Sequence, residues 1–279
     1  MGGASFGSAS FGRASFGRLA FVALVVAIFA FLLGPLVTIV WASVFADKIL
    51  TFPPTGYTFA WYAHAWSMAD FASGFLMSVR VGICATIGSL LLGVPAALAI
   101  ERFPFPGRET IRQVLLSPMY VPAIVAGAAV YIYFVEIEIL TNFQLAATFT
   151  GLVIAHTLVA LPWTLRLVCA SLITANASSE EAARSLGANA FQTFFLVTLP
   201  IIRPGMIAAA MFSFIASFSD LEKSLFLVGP GKTTLPIAII NYLEWSLDPT
   251  IAAVATVQIL IIGTALIVSD RFVKLGKAF

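Results

Sequence analysis

Charged side chains are rare in this chain, and two short segments hold several of them within apolar surroundings. The first runs from Ser178 to Gly205 and carries two adjacent acids, two arginines and two side-chain amides between long hydrophobic stretches. The second is Asp220-Leu-Glu-Lys223, where two acids and a lysine interrupt an apolar run. Carboxylates in water can pair with basic residues of another protein, whereas charges inside a membrane usually mark a solute path. Which of these roles each segment can have depends on whether that segment lies in water or inside a membrane.

The composition excludes a soluble globular protein. Hydrophobic residues make up 60% of the 279 residues and charged residues only 10%, whereas soluble domains carry roughly a quarter charged residues. The net charge of +2 gives no indication of a nucleic-acid partner. Cys84 and Cys169 lie far apart in apolar runs, and neither the cysteines nor the two histidines have the spacing of metal ligands. We therefore predict an all-α integral membrane protein with no catalytic or metal site.

Six stretches are long enough to cross a bilayer, which takes about 20 apolar residues. The predicted spans are Leu19–Phe45, Gly74–Ile100, Val114–Val135, Leu145–Leu172, Met206–Val228 and Ile251–Val273. Residues 1–18, which repeat the letters ASFG, are expected to form a flexible tail, and residues 19–279 to form the transmembrane domain. Most Lys and Arg residues fall in the loops on one side, so both termini are expected in the cytoplasm.

With this orientation, the segment from Ser178 to Gly205 lies in the cytoplasm between the fourth and fifth spans. Ser178 followed by Glu181 has the spacing of a capping box, which predicts a helix that begins near Ser179. The two alanines that follow Glu181 favour helix, and Gly187 is suited to end it. The pattern therefore predicts a short helix with small residues on one face.

Beyond this short helix, the same segment predicts a second helical run over Ala190–Leu199. Pro204 and Gly205 are expected to open the fifth span, because proline is favoured in the first turn of a helix. A short helix that presents alanines and acids suits a docking surface as well as a solvated loop. The residues alone leave both interpretations open.

The spacing of residues 176–200, which we call the 176–200 loop, resembles the cytoplasmic loop of ATP-binding-cassette (ABC) importer permeases. Glu181-Ala-Ala183 is followed after three residues by Gly187 and after nine more by Val197-Thr-Leu-Pro200, similar to the family's EAA loop with valine in place of its usual isoleucine. The resemblance implies a type I importer permease fold, in which a coupling helix between spans 4 and 5 inserts into a groove on an ATPase subunit. It assigns the coupling role to Glu180, Glu181, Ala182, Ala183, Arg184 and Gly187.

Residues 217–256 resemble the C-terminal part of the spermidine and putrescine permeases, in which a pattern similar to SF-x-D…GP…TLP precedes the last span. This resemblance covers about residues 70–275 and implies a translocation path beside Asp220 that suits a cationic amine. The predicted path residues are Ser217, Phe218, Asp220, Glu222 and Lys223. Ser219 replaces a frequent second acid of that branch and Lys223 is additional. Opines, aminophosphonates, thiamine and ferric iron therefore stay open as solutes.

Both resemblances imply that the chain works in a larger complex in the bacterial inner membrane. The implied partners are a second permease subunit in a heterodimeric core, two ATPase subunits that bind ATP and magnesium, and a periplasmic solute-binding protein. The chain itself is not expected to be an enzyme or to bind a cofactor, since Gly229-Pro-Gly231-Lys232 lacks the first glycine of a phosphate-binding loop. The main alternative is an ion-coupled secondary carrier, although we find no internal repeat; an intramembrane enzyme is a further alternative.

Overall fold

Helices account for nearly all the regular structure of this protein. The computed structural model describes residues 9–49 and 51–275, with side chains for residues 18–49 and 51–271. Within these ranges, the β structure is one isolated antiparallel bridge between Phe45 and Tyr57. The helices are α1 (Ala9–Ala42), α2 (Ala60–Ser67), α3 (Ala69–Arg102), α4 (Arg108–Leu116), α5 (Ala123–Thr141), α6 (Phe149–Thr174), α7 (Ala177–Ser185), α8 (Ala190–Thr193), α9 (Leu199–Phe218), α10 (Glu222–Leu227), α11 (Leu235–Leu243) and α12 (Pro249–Leu275), with a 3₁₀ turn at Ser117–Met119 and a π turn at Phe194–Thr198. The prediction of an all-α protein is confirmed.

Six helices in the described part of the chain are long and apolar enough to cross a membrane. They cover Arg18–Ala42, Ala69–Arg102, Ala123–Thr141, Phe149–Thr174, Ala190–Phe218 and Pro249–Arg271. The predicted number of spans is therefore confirmed, and the first, second, fourth and sixth lie close to their predicted positions.

The third span begins later than the predicted start at Val114, because α5 starts only at Ala123. Pro122 precedes it with φ −52° and ψ 127°, which lies outside the helical region. Proline also disfavours helical backbone in the residue before it. The stretch before Pro122 therefore forms a separate helix, α4, and a short 3₁₀ turn.

The fifth span differs at both ends from the predicted range Met206–Val228. The helix is continuous from α8 through the π turn into α9, so Pro204 lies inside it rather than at its start. The helix ends at Phe218, and the side chain of Asp220 accepts a hydrogen bond from the backbone N–H of Lys223. This contact begins the separate helix α10, since a carboxylate is well suited to hold the first turn of a helix.

The first helix extends into the stretch for which a flexible tail was predicted. Helix α1 begins at Ala9, whereas the predicted tail covers residues 1–18. The first eight residues of that predicted tail lie outside the described residues. From Ala9 onward, the helix of the first span continues back through the ASFG repeat.

The chain divides into two compact units, of which the first comprises residues 1–63 and 247–259. In the described part of this unit, the indole N–H of Trp61 donates to the carbonyl of Phe45 at 2.7 Å. The unit also holds the start of α12, where the side chain of Asp248 accepts a hydrogen bond from the backbone of Thr250 at 2.9 Å. These contacts order the segment after α1 and the start of the last helix.

The second unit comprises residues 64–246 and 260–279, and it holds the core that positions the candidate site. Helices α3, α6 and α9 pack together through buried aliphatic side chains, which include Val94, Ile100, Leu165, Leu172 and Ile202. Small residues let these helices approach closely. A Cβ atom added at Gly93 of α3, for example, would lie 2.6 Å from Cγ2 of Thr164 on α6. This packing fixes the positions of the C-terminal ends of α3 and α6.

Candidate functional site

Helix α7 in the 176–200 loop begins earlier than predicted, because Asn176 caps it. The side-chain oxygen of Asn176 accepts a hydrogen bond from the backbone N–H of Ser178 at 3.1 Å. The predicted capping box of Ser178 and Glu181 is wrong, since Asn176 takes the cap position ahead of it. A capping box forms instead at α8, where Asn189 and Gln192 each accept a hydrogen bond from the other's backbone N–H at 2.9 Å.

Gly187 ends α7, as the sequence predicted. Its φ of 92° lies in the left-handed region, which glycine adopts without the steric cost that other residues meet. The backbone N–H groups of Gly187 and Ala188 donate to the carbonyls of Arg184 and Ala183 at 3.0 and 3.1 Å. These bonds satisfy carbonyls that the end of a helix would leave unpaired, and the chain turns at once towards α8.

Most of the surface of α7 is uncovered in the described part of the chain. Glu181, Ala182 and Arg184 are exposed, and Ala183 is half-buried. Leu186, directly after the helix, is 90% exposed. The outward surface of α7 therefore combines an acid, a base, small side chains and one large apolar side chain.

Glu180 differs from its neighbours on α7, because its carboxylate is turned inward and is 9% exposed. At the end of α3, Nε of Arg102 donates to both carboxylate oxygens of Glu180, at 3.1 and 3.2 Å. Nη1 of Arg102 donates to the carbonyl of Leu172 in the last turn of α6 at 3.1 Å. Consecutive residues on a helix point about 100° apart, so Glu180 binds within the chain while Glu181 points outward.

Glu101, the residue before Arg102, binds α4 instead of α7. Nη2 of Arg112 on α4 donates to Glu101 of α3 at 2.8 Å. Glu109 of α4 also lies 3.5 Å from Nε of Arg112. Two consecutive residues at the end of α3 thus tie this helix to two different neighbours, Glu101 to α4 and Arg102 to α7.

The second charged segment forms a buried ion pair. Nζ of Lys223 donates to Oδ2 of Asp220 at 3.0 Å, and the backbone N–H of Lys223 donates to Oδ1 at 2.9 Å. Both side chains are buried. Each charge therefore offsets the cost of burying the other, and neither is open to a solute in this structure.

His156 of α6 connects this pair to the rest of the unit. Its side chain is only 1% exposed; Nδ1 lies 2.8 Å from Oγ of Ser217, and Nε2 lies 3.1 Å from Oγ of Ser224. Ser224 in turn donates to the carbonyl of Asp220 at 2.9 Å. His156 is therefore a buried, hydrogen-bonded residue, and its network joins α6, α9 and α10.

The predicted path residues have two different environments. Those that are buried are Ser217, Phe218, Asp220 and Lys223. Ser217, Asp220 and Lys223 belong to the cluster around His156, and Phe218 stacks on Phe214 with ring centroids 5.5 Å apart. Glu222 differs from these, since its side chain is only partly covered. Among the predicted path residues, it is therefore the one whose side chain is not buried.

Sequence reasoning missed several charged groups. Glu136 and Glu138 lie on α5, where the first is exposed and the second half-buried; acids within an apolar run were the signal that could have identified them. The pair of Arg102 and Glu180 had no such signal, because the two residues are 78 positions apart. In the ranges that the structure describes, no group of three or more potential metal ligands occurs.

The described part of the chain thus has six membrane-length apolar helices and an exposed short helix between the fourth and the fifth. Residues 89–275 match the family described as "Binding-protein-dependent transport system inner membrane component". The chain belongs to this family and is a permease component of an ABC importer.

This chain is also similar to permease proteins and to a solved transporter structure. The chain is 28% identical over 236 residues to the putrescine transport system permease protein PotI of Escherichia coli (strain K12), covering 84% of each protein. It is 32% identical over 216 residues to the diacetylchitobiose uptake system permease protein NgcG of Streptomyces coelicolor, covering 76% of this chain and 66% of that protein. A chain of a bacterial ABC transporter involved in the import of the acidic polysaccharide alginate aligns over 95% of this chain and 97% of that chain, with a TM-score of 0.67 and 19% identity. The predicted importer permease fold is confirmed.

Proposed function

We propose that this chain is the membrane-spanning subunit of an ATP-driven type I importer that brings a small amine-bearing solute into the cell. A periplasmic binding protein delivers the solute, and a second, distinct permease subunit completes the path. Two ATPase subunits bind ATP and magnesium and drive the transport cycle. Both termini and the 176–200 loop lie in the cytoplasm, in keeping with the distribution of Lys and Arg along the sequence.

The exposed helix α7 is the observation that carries this proposal. Its carboxylate at Glu181 can form charge-assisted hydrogen bonds with basic residues of an ATPase subunit. Ala182 allows the two backbones to approach closely, and Leu186 offers an apolar contact. The cap at Asn176 and the inward ion pair of Glu180 hold the helix in one orientation. A preorganised helix with an uncovered face suits docking, because little conformational freedom is lost on binding.

The proposal of an amine-bearing solute rests on the carboxylates that have no ion-pair partner within the described ranges. The names of the relatives and of the solved transporter cover putrescine, diacetylchitobiose and alginate, so they support transport in general, and PotI supports an amine. Asp220 and Lys223 neutralise each other, whereas Glu136 and Glu222 have no ion-pair partner within the described ranges. These carboxylates favour a cationic amine. Opine and aminophosphonate transport stay alternatives, since the exposed Arg80 of α3 suits an anionic group. Thiamine and ferric iron also stay alternatives, because both are cationic and suit the same carboxylates.

ATP hydrolysis by the reconstituted complex, measured with the binding protein and candidate amines, tests the role of α7. Glu181→Lys reverses the charge at the proposed contact, and we expect it to reduce solute-stimulated hydrolysis about tenfold or more, the effect of an unfavourable charge at an interface. Gln113→Lys is the matched control, because it introduces the same side chain at an exposed position of α4. Stimulation that is equal in the assembled Glu181→Lys complex and the wild type would contradict the proposed contact.

A further inference from the structure

Three helix ends meet at the guanidinium group of Arg102. This residue is the last of α3, it donates to the carbonyl of Leu172 in the last turn of α6, and it binds Glu180 in the first turn of α7. A cation is favoured at the C-terminal end of a helix and an acid at the N-terminal end. Each of these three helix ends therefore contributes to stabilising the contact.

The contact joins α7 to a helix that is distant from it in the sequence. Helix α7 follows α6 directly in the chain and leads through α8 into α9, so any displacement of α7 reaches those two helices through the backbone. Helix α3 ends far earlier in the sequence, and Arg102 is 78 positions away from Glu180. Besides the packing of α3 on α6 and α9, this side-chain contact ties α3 directly to α7.

The burial and geometry of the pair make it resistant to separation. The side chains of Arg102 and Glu180 are 15% and 9% exposed, and pulling such a pair apart leaves each charge poorly solvated. The planar guanidinium group holds a carboxylate and a backbone carbonyl in fixed directions. The contact therefore constrains orientation as well as distance.

We propose that Arg102 and Glu180 are positioning residues that transmit the displacement of α7 to α3. This role rests on the proposed function, in which an ATPase subunit moves α7. When α7 is displaced, the end of α3 moves with it, and the packing of α3 on α6 and α9 carries that movement into the membrane-spanning bundle. Glu180 thus couples the chain internally, whereas its neighbour Glu181 contacts the ATPase subunit.

The same helix end supplies a matched control. Glu101 is the neighbour of Arg102 and also forms an ion pair with an arginine, at 2.8 Å. Its partner Arg112 belongs to α4, so this pair does not contact α7. Neutralising Glu101 removes a similar ion pair from the same end of α3 and leaves the contact with α7 in place.

The experiment measures the number of putrescine molecules taken up per ATP hydrolysed by the complete complex in proteoliposomes. We expect Glu180→Gln and Arg102→Gln to lower this ratio about fivefold, within the range by which substitutions change coupling between sites, while ATP hydrolysis continues. Glu101→Gln should leave the ratio within about twofold of the wild type. The charge swap Glu180→Arg with Arg102→Glu should restore most of the ratio.

The outcomes separate this role from a purely structural one. If the ratio stays unchanged in Glu180→Gln while wild-type uptake requires ATP, the transmission role is wrong and the importer function stands. If hydrolysis and uptake fall in parallel as subunits dissociate, the pair only anchors α7, and the transmission role is again wrong. If the neutral variants do not assemble, Arg102→Lys replaces them; it keeps the charge but not the guanidinium geometry, and the ratio should still fall. Uptake by the wild type without ATP would overturn the proposed function itself.

Discussion

The adjacent acids Glu180 and Glu181 have opposite environments in this chain. Glu180 is buried and binds Arg102, whereas Glu181 is exposed. The difference follows from helix geometry, because a step of one residue turns the side chain by about 100°. In the proposed function, the first of these acids positions α7 within the chain and the second contacts the ATPase subunit.

A second residue-scale feature is the buried pair of Asp220 and Lys223, which leads to a stability prediction. Lys223→Met leaves the carboxylate of Asp220 buried without its partner, and breaking such a pair costs about 3–5 kcal/mol. Asp220→Asn combined with Lys223→Met removes both charges and should recover most of that loss. Unfolding of the purified protein in detergent measures the difference. A single variant that unfolds no earlier than the double variant would show that the pair is not a buried, mutually dependent one.

At the scale of elements, the start of α7 depends on one side chain. Asn176→Ala removes its N-cap, which is worth about 1 kcal/mol, so the backbone N–H groups of residues 177–185 should exchange with deuterium roughly fivefold faster. Ser178→Ala is the control, because the side chain of Asn176 and not that of Ser178 forms the cap. Hydrogen–deuterium exchange with mass spectrometry measures both variants. Faster exchange in Ser178→Ala than in Asn176→Ala would mean that the cap is assigned to the wrong residue.

The elements also show which features of this fold could be predicted from sequence. Long apolar runs predicted the number of spans, since a bilayer requires a minimum helix length. Prolines were the main source of error: Pro122 separates α4 from α5, whereas Pro204 lies inside a continuous helix. Proline inside a membrane helix is tolerated because neighbouring groups satisfy the freed backbone carbonyl. The residues next to a proline do not show whether it separates two helices or lies inside one.

The candidate site was predictable only where its contacts join residues that are close in the sequence. The motif around Glu181 predicted a short helix that ends at Gly187, because caps and turns depend on residues a few positions apart. The inward partner of Glu180 and the cluster around His156 depend on residues brought together from distant parts of the chain. Such contacts require the packed helices, and a single sequence does not contain them.

At the scale of the whole molecule, the proposed importer divides its work between subunits. In this proposal, the ATPase subunits supply the energy, and this chain converts the position of α7 into the arrangement of α3, α6 and α9. The buried network around His156 ties α10 to α6 and α9, so the segment that carries the predicted path residues belongs to the same packed unit. In the proposed function, a change at the 176–200 loop therefore reaches the predicted path residues through the packed helices.

The most direct measurement of this function is solute uptake into proteoliposomes, with putrescine as the probe and the binding protein present. Three preparations are compared: the complete complex with ATP, the complete complex with ADP, and this chain with its partner permease but without ATPase subunits. We expect uptake only in the first preparation, and we expect Glu181→Lys to abolish most of it. Uptake by the permease subunits alone, driven by an ion gradient, would contradict the importer function and favour a secondary carrier.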